Sequence, residues 1–108
     1  MNLRKHAAWM AIVDDRILES LFAEGTCRPN EIRHSLASYG EAMAYSQTYI
    51  DERLDLLVGA SLIRQADNGW SFELTQRGRL YLQGSFDAGV LSVGVSTAQS
   101  KLVDRIDD

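Results

Sequence analysis

Residues 62–82 read LIRQADNGWSFELTQRGRLYL. Asn68-Gly69 in the middle is the dipeptide favoured where both central residues of a hairpin turn need positive φ. Before it, Leu62-Ile63-Arg64 reads as extended chain. After it, Trp70, Phe72 and Leu74 alternate with Ser71 and Glu73, so the first three are expected on one face of a strand. Thr75 is a good N-cap and opens a helix running to about Leu82. Gly78 lies inside that helix, where glycine costs about 1 kcal/mol relative to alanine. Its missing Cβ is expected to let the helix approach a neighbour closely.

Upstream, Asp14 or Asp15 can cap a first helix to about Ala23, with Ile17, Leu18, Leu21 and Phe22 at helical spacing and Gly25 closing it. The apolar residues just before, Trp9, Met10, Ile12 and Val13, either extend this helix or pack on a partner. A second helix begins near Pro29, tolerated in a first turn because its missing N–H has no intrahelical partner there. Ile32 and Leu36 form its apolar face. Residues 38–45 are a polar turn containing Gly40. Ser46 caps a third helix, residues 46–58, striped by Ile50, Leu54, Leu57 and Val58, and Gly59 and Ser61 loosen its end. Three helices, a two-stranded hairpin and a fourth helix make an α+β, mostly α fold: a winged helix-turn-helix over residues 1–84. Residues 85–108 form a C-terminal extension. There Ala98, Leu102 and Ile106 lie at i, i+4 and i+8, fitting either a short helix that contributes to dimerisation or a mobile tail.

The chain of 108 residues suits one domain with a modest core, and 45% hydrophobic residues argue against disorder. Its longest apolar run, Ala7–Val13, is too short to span a bilayer, and no signal-like cleavage site follows, so a cytoplasmic location is expected. Cys27 is the single cysteine and reads as a small buried hydrophobe. His6 and His34 lack ligand spacing, so neither metal nor cofactor is expected. Net charge is −4, and nine of the eleven cations are arginine. That acidic, lysine-poor balance is typical of proteins from a salt-rich cytoplasm. No activated nucleophile, phosphate loop or carboxylate–histidine arrangement appears, which leaves a binding protein rather than an enzyme.

Three segments carry a family resemblance. They are Asp14-Asp15-Arg16-Ile17-Leu18-Glu19 following Trp9-Met10, Ser46-Gln47-Thr48-Tyr49-Ile50-Asp51-Glu52-Arg53-Leu54, and the step Leu74-Thr75-Gln76-Arg77-Gly78 out of the hairpin. Together they resemble archaeal winged-helix regulators similar to the repressor of haloarchaeal phage phi-H, over roughly residues 9–86. The resemblance implies a sequence-specific, usually dimeric DNA-binding repressor without enzymatic activity. One departure is visible: the third helix carries Asp51, Glu52 and Asp55 against the single cation Arg53, where relatives would be expected to show more arginine.

In helix-turn-helix proteins the N-terminal end of the recognition helix meets base edges in the major groove of double-stranded DNA. Gln47, Thr48, Tyr49, Glu52 and Arg53 are therefore the candidate base contacts. Glutamine can pair bidentately with adenine, threonine offers a hydroxyl or a methyl, and glutamate can accept from cytosine. Ser46, Arg28, Arg33, His34 and Arg64 are candidate backbone contacts, with Arg4 and Lys5 as further cations. The wing tip, Ala66-Asp67-Asn68-Gly69, carries an acid and no cation. Tyr45, Tyr49 and Tyr81 either line a small pocket or belong to the core and its rim. The rival reading is a winged helix used as a protein-interaction module, which an acidic third helix, a wing tip without cations and an apolar N-terminus also fit.

Trp9, Met10, Ile12, Val13, Leu102 and Ile106 together make more apolar surface than so small a domain is expected to leave in water, which predicts a homodimer. A two-fold pair sets its recognition helices about 34 Å apart, one turn of DNA. Sedimentation at low and high salt is expected to give a dimer; a monomer at micromolar concentration in both would refute it.

Overall fold

The computed structural model describes residues 6–84. The order is α1 Ile12–Glu24, β1 Thr26–Cys27, α2 Pro29–Ala37, a 3₁₀ turn Glu41–Met43, α3 Gln47–Gly59, β2 Ile63–Gln65, β3 Phe72–Leu74 and α4 Gln76–Leu82. This is the winged-helix arrangement, with one addition. The hairpin is joined by β1 into a three-stranded antiparallel sheet in the order β1-β3-β2, Cys27 lying opposite Phe72 and Ile63 opposite Leu74. Two residues cannot show a period, so β1 left no alternation to read.

The three helices and the sheet enclose one core: Ile17, Leu18 and Leu21 from α1, Ile32 and Leu36 from α2, Ile50, Leu54 and Leu57 from α3, and Leu62, Ile63, Leu74 and Tyr81. Phe22 and Val58, expected in the apolar stripes, are exposed instead. Each lies beside its stripe, one residue after Leu21 or Leu57, and α1 and α3 bury only the narrower faces turned to their neighbours. Cys27 is buried as expected. Burial pushes its thiol pKa up, with Glu31 and Glu24 adding to the effect.

α1 starts earlier than the acidic pair suggests. Its N-cap is Ala11, and Asp14 sits at the third helical position, where its carboxylate accepts from the Ala11 amide at 2.7 Å. Asp15 instead accepts from the Tyr81 hydroxyl at 2.7 Å, tying α1 to α4, and lies 3.1 Å from His6 Nε2. The apolar run ahead of the helix packs largely on its own domain. Val13 is core, Trp9 and Met10 are half-buried against it, and Ile12 alone of the four is exposed. Leu102, Ile106 and the rest of the extension, like Arg4 and Lys5, lie outside the described residues.

α3 ends in a Schellman arrangement. The Leu62 N–H donates to Leu57 O and the Ser61 N–H to Val58 O, with Ser61 at φ +64° taking the left-handed position usually given to glycine. Gly59 stays helical. The hairpin also differs from a tight two-residue turn. Ala66 donates to Ser71 O and accepts from the Gly69 N–H, leaving residues 67–70 as the loop, with φ positive at Gly69 and not at Asn68. The Asn68 carboxamide oxygen accepts from the Trp70 and Ser71 amides at 3.0 Å each. Trp70 thereby belongs to the loop and is exposed, while Ser71 is buried, the reverse of the strand alternation expected for them.

Thr75 joins wing to α4. Its N–H donates to Leu62 O, its hydroxyl donates to Ser61 O at 2.6 Å, and its Oγ1 accepts from the Gly78 N–H at 3.0 Å. This draws the first turn of α4 onto Ser61 and Leu62, which join α3 to β2. A Cβ at Gly78 would run into the Leu62 carbonyl oxygen and stand 3.0 Å from Leu74 Cδ2. Gly78→Ala gains about 1 kcal/mol of helix propensity but collides with backbone, which cannot swing aside as a side chain does. The collision is the larger effect. A net loss of about 1–3 kcal/mol is expected from the urea midpoint at unchanged slope.

Candidate nucleic-acid interface

α2, the turn of residues 38–46 and α3 form the helix-turn-helix, and the hairpin stands beside the start of α3. Pro29 at the first position of α2, with the Arg28 N–H donating to Glu31 Oε1 at 2.8 Å, sets where α2 begins. Ser46 caps α3, its Oγ accepting from the Tyr49 N–H at 3.1 Å. With Ile50, Leu54 and Leu57 turned to the core, Thr48, Asp51, Glu52 and Asp55 are left exposed.

Thr48 and Glu52 stand free on that face, and Ser46 is exposed at its end. Gln47 is half-buried between Arg33 and Asp51. Tyr49 is half-buried and stacks on Tyr45, ring centroids 5.1 Å apart, so these two rings form the rim, while Tyr81 is core. Arg53 differs from its expected role. Its guanidinium turns inward, donating from Nε and Nη2 to both carboxylate oxygens of Asp14 and from Nη2 to the Trp9 carbonyl at 3.0 Å. Asp14 is fully buried and the Arg53 side chain is 14% exposed. The Asp14 hydrogen bond raises the arginine pKa above its usual value against the lowering effect of burial. The lone cation of the recognition helix is thus committed inside the domain, because the start of α1 presents it with a buried carboxylate.

The candidate backbone contacts are also engaged. Arg28 lies 5.6 Å from the Trp70 ring centroid, a cation–π distance. Arg33 donates to Gln47 and comes within 3.4 Å of His34 Nε2. Arg64 pairs with Glu73 directly across the β2–β3 ladder at 2.7 Å, but its side chain remains 67% exposed. Such an exposed pair is worth little and exchanges readily for a phosphate. An open cleft of about 480 Å³ runs between the starts of α2 and α3 and the wing, lined by Arg28, Pro29, Asn30, Gln47, Asp51 and Trp70. Trp70, expected on one face of a strand with Phe72 and Leu74, lies in the wing loop and lines this cleft instead. The usable signal was Asn68, whose side chain habitually bonds amides two residues on. Among the described residues no cluster of three or more His, Cys, Asp or Glu could hold a metal ion. No helix among them is long and apolar enough to cross a membrane.

The chain is similar to a solved structure, the crystal structure of the PhiH1 repressor-like protein from Haloarcula marismortui. The two are 32% identical, the match covers 82% of this chain and 94% of that one, and the TM-score is 0.70. The chain belongs with the PhiH1 repressor-like proteins. No family model and no curated protein matches it. Here the middle of α3 is held to α1 through Asp14 and Arg53, a pair separated by 39 residues. Asp14→Ala would leave a largely buried guanidinium without its carboxylate. It is expected to cost about 3 kcal/mol or more of unfolding free energy, measured by urea denaturation. A loss below about 1 kcal/mol would show the pair to be incidental.

Proposed function

We propose that this protein is a sequence-specific DNA-binding regulator, a repressor acting as a homodimer, with a binding role and no catalysis. The observation that carries the reading is the exposed start of α3 beside an exposed wing, on a fold shared with a repressor-like protein. Gln47 and Thr48 read bases, with Tyr49 and Glu52 at the edge of the contact. Ser46, Arg28, His34 and Arg64 approach the phosphates. Arg53 serves Asp14 rather than DNA. The lysine-poor, acidic composition suits action in a salt-rich cytoplasm.

A second reading, a protein-interaction module, is favoured by one specific feature. The outward face of α3 carries Asp51, Glu52 and Asp55, and the arginines nearest to it have intramolecular partners. Phosphate neutralisation releases counterions, so a DNA binder loses duplex affinity linearly in log salt. Thr48→Ala is expected to weaken the preferred duplex by about 1 kcal/mol while leaving random DNA unchanged. Arg64→Ala should weaken every duplex and flatten the salt slope by about one unit. Glu52→Gln should tighten binding to all sequences. Absence of duplex binding at every salt concentration would replace this reading with the second.

A further inference from the structure

The first turn of α3 contains a glutamine whose two polar atoms are both engaged. Arg33 Nε donates to Gln47 Oε1 at 3.0 Å, from α2 to α3. Gln47 Nε2 donates to Asp51 Oδ1 at 3.2 Å, one turn along α3. A guanidinium can only donate and an ionised carboxylate can only accept. The two partners therefore select one of the two flips of the carboxamide on chemical grounds. Exchanging its oxygen and nitrogen would set two donors face to face at Arg33 and two acceptors face to face at Asp51.

We propose that Arg33 and Asp51 are positioning residues that hold Gln47 ready to read an adenine in the major groove, a reading that rests on the DNA-binding function proposed above. The argument is a count of hydrogen-bonding capacity. A carboxamide has two acceptor lone pairs and two N–H donors. Arg33 uses one lone pair and Asp51 one N–H, which leaves one acceptor and one donor. Adenine presents N7 as acceptor and its N6 amino group as donor, matching what remains. Guanine presents N7 and O6, two acceptors, and needs both N–H groups, one of which Asp51 occupies. The same pair that orients Gln47 thus discriminates against guanine. Gln47 and Asp51 both line the cleft between α2, α3 and the wing, so the residue is held at the mouth of the surface assigned to DNA. Ordering the side chain before DNA arrives reduces the entropy lost on binding. It also gives the acid at position 51 a use that its charge, repelled by phosphate, does not suggest. Arg33 becomes a residue acting through Gln47 rather than on the DNA backbone.

Selection of bound sequences from a random duplex pool with the full chain would define the preferred site. Single-base-pair variants of that site would then be titrated with wild type, Gln47→Ala, Arg33→Ala, Asp51→Ala and Asp51→Asn, each first shown to be folded by thermal unfolding. Gln47→Ala is expected to lower the preference for A·T over G·C at one position by roughly 5- to 150-fold. Arg33→Ala and Asp51→Ala should lower the preference at that same position and at no other, and should add little when combined with Gln47→Ala. Asp51→Asn keeps an acceptor oxygen and should restore the preference. The positioning proposal is overturned, with DNA reading intact, if Gln47→Ala loses the preference while Arg33→Ala and Asp51→Ala keep it. It is equally overturned if Arg33→Ala weakens all sequences alike with a shallower salt slope, the behaviour of a phosphate contact. A Gln47→Ala protein with every preference unchanged also overturns it. A pool that yields no preferred sequence overturns the DNA-binding reading itself.

Discussion

The buried Asp14–Arg53 pair fixes how the recognition helix lies against the rest of the domain, and much of the remaining structure depends on it. An ionised carboxylate excluded from water is tolerable when its oxygens are hydrogen-bonded. Asp14 meets that requirement with the Arg53 fork and the Ala11 amide. The same carboxylate therefore closes the first turn of α1, holds α3 by its middle and, through Arg53, ties down the Trp9 carbonyl. The apolar core, to which α1 gives Ile17 and Leu18 and α3 gives Ile50 and Leu54, supplies burial but little directionality. The ion pair adds a fixed geometry to a core that could otherwise slide.

A second constraint sets the wing. The close approach of α4 to the Leu62 carbonyl at Gly78 and the Thr75 hydrogen bonds to Ser61 and Leu62 leave little freedom where the hairpin leaves the core. β3 is the central strand, paired on both sides, so its position is fixed by β1 as well as β2. The loop beyond is then shaped locally by Asn68, and that shape brings Trp70 out beside Arg28 at the start of α2. Wing and helix-turn-helix are thus joined at their exposed ends as well as through the core.

The electrostatics follow from these placements. With Arg53 spent inside the domain, the outward face of α3 is acidic, and the arginines beside it come from α2 and the edge of the sheet. An acidic face of this kind keeps indiscriminate attraction to polyanions low, and leaves Gln47 and Thr48 as the hydrogen-bonding groups at the start of α3.

Patterns confined to a few neighbouring residues were legible in the sequence. The helical spacing of Ile50, Leu54 and Leu57, the caps at Ser46 and Thr75, Pro29 at the start of α2 and the small residue Gly78 all act within one or two turns, and each stands where expected. They were enough for the order of elements and hence the winged-helix fold. The inward turn of Arg53 and the short β1 were not legible, and each is decided by a partner far along the chain. Arg53 illustrates the difference: its place on the third helix made it a candidate base contact, and only the arrival of Asp14 from another helix gave its charge a reason to turn inward. Local steric and capping preferences are written in adjacent residues, whereas the destination of a long charged side chain depends on which opposite charge the folded chain brings within reach.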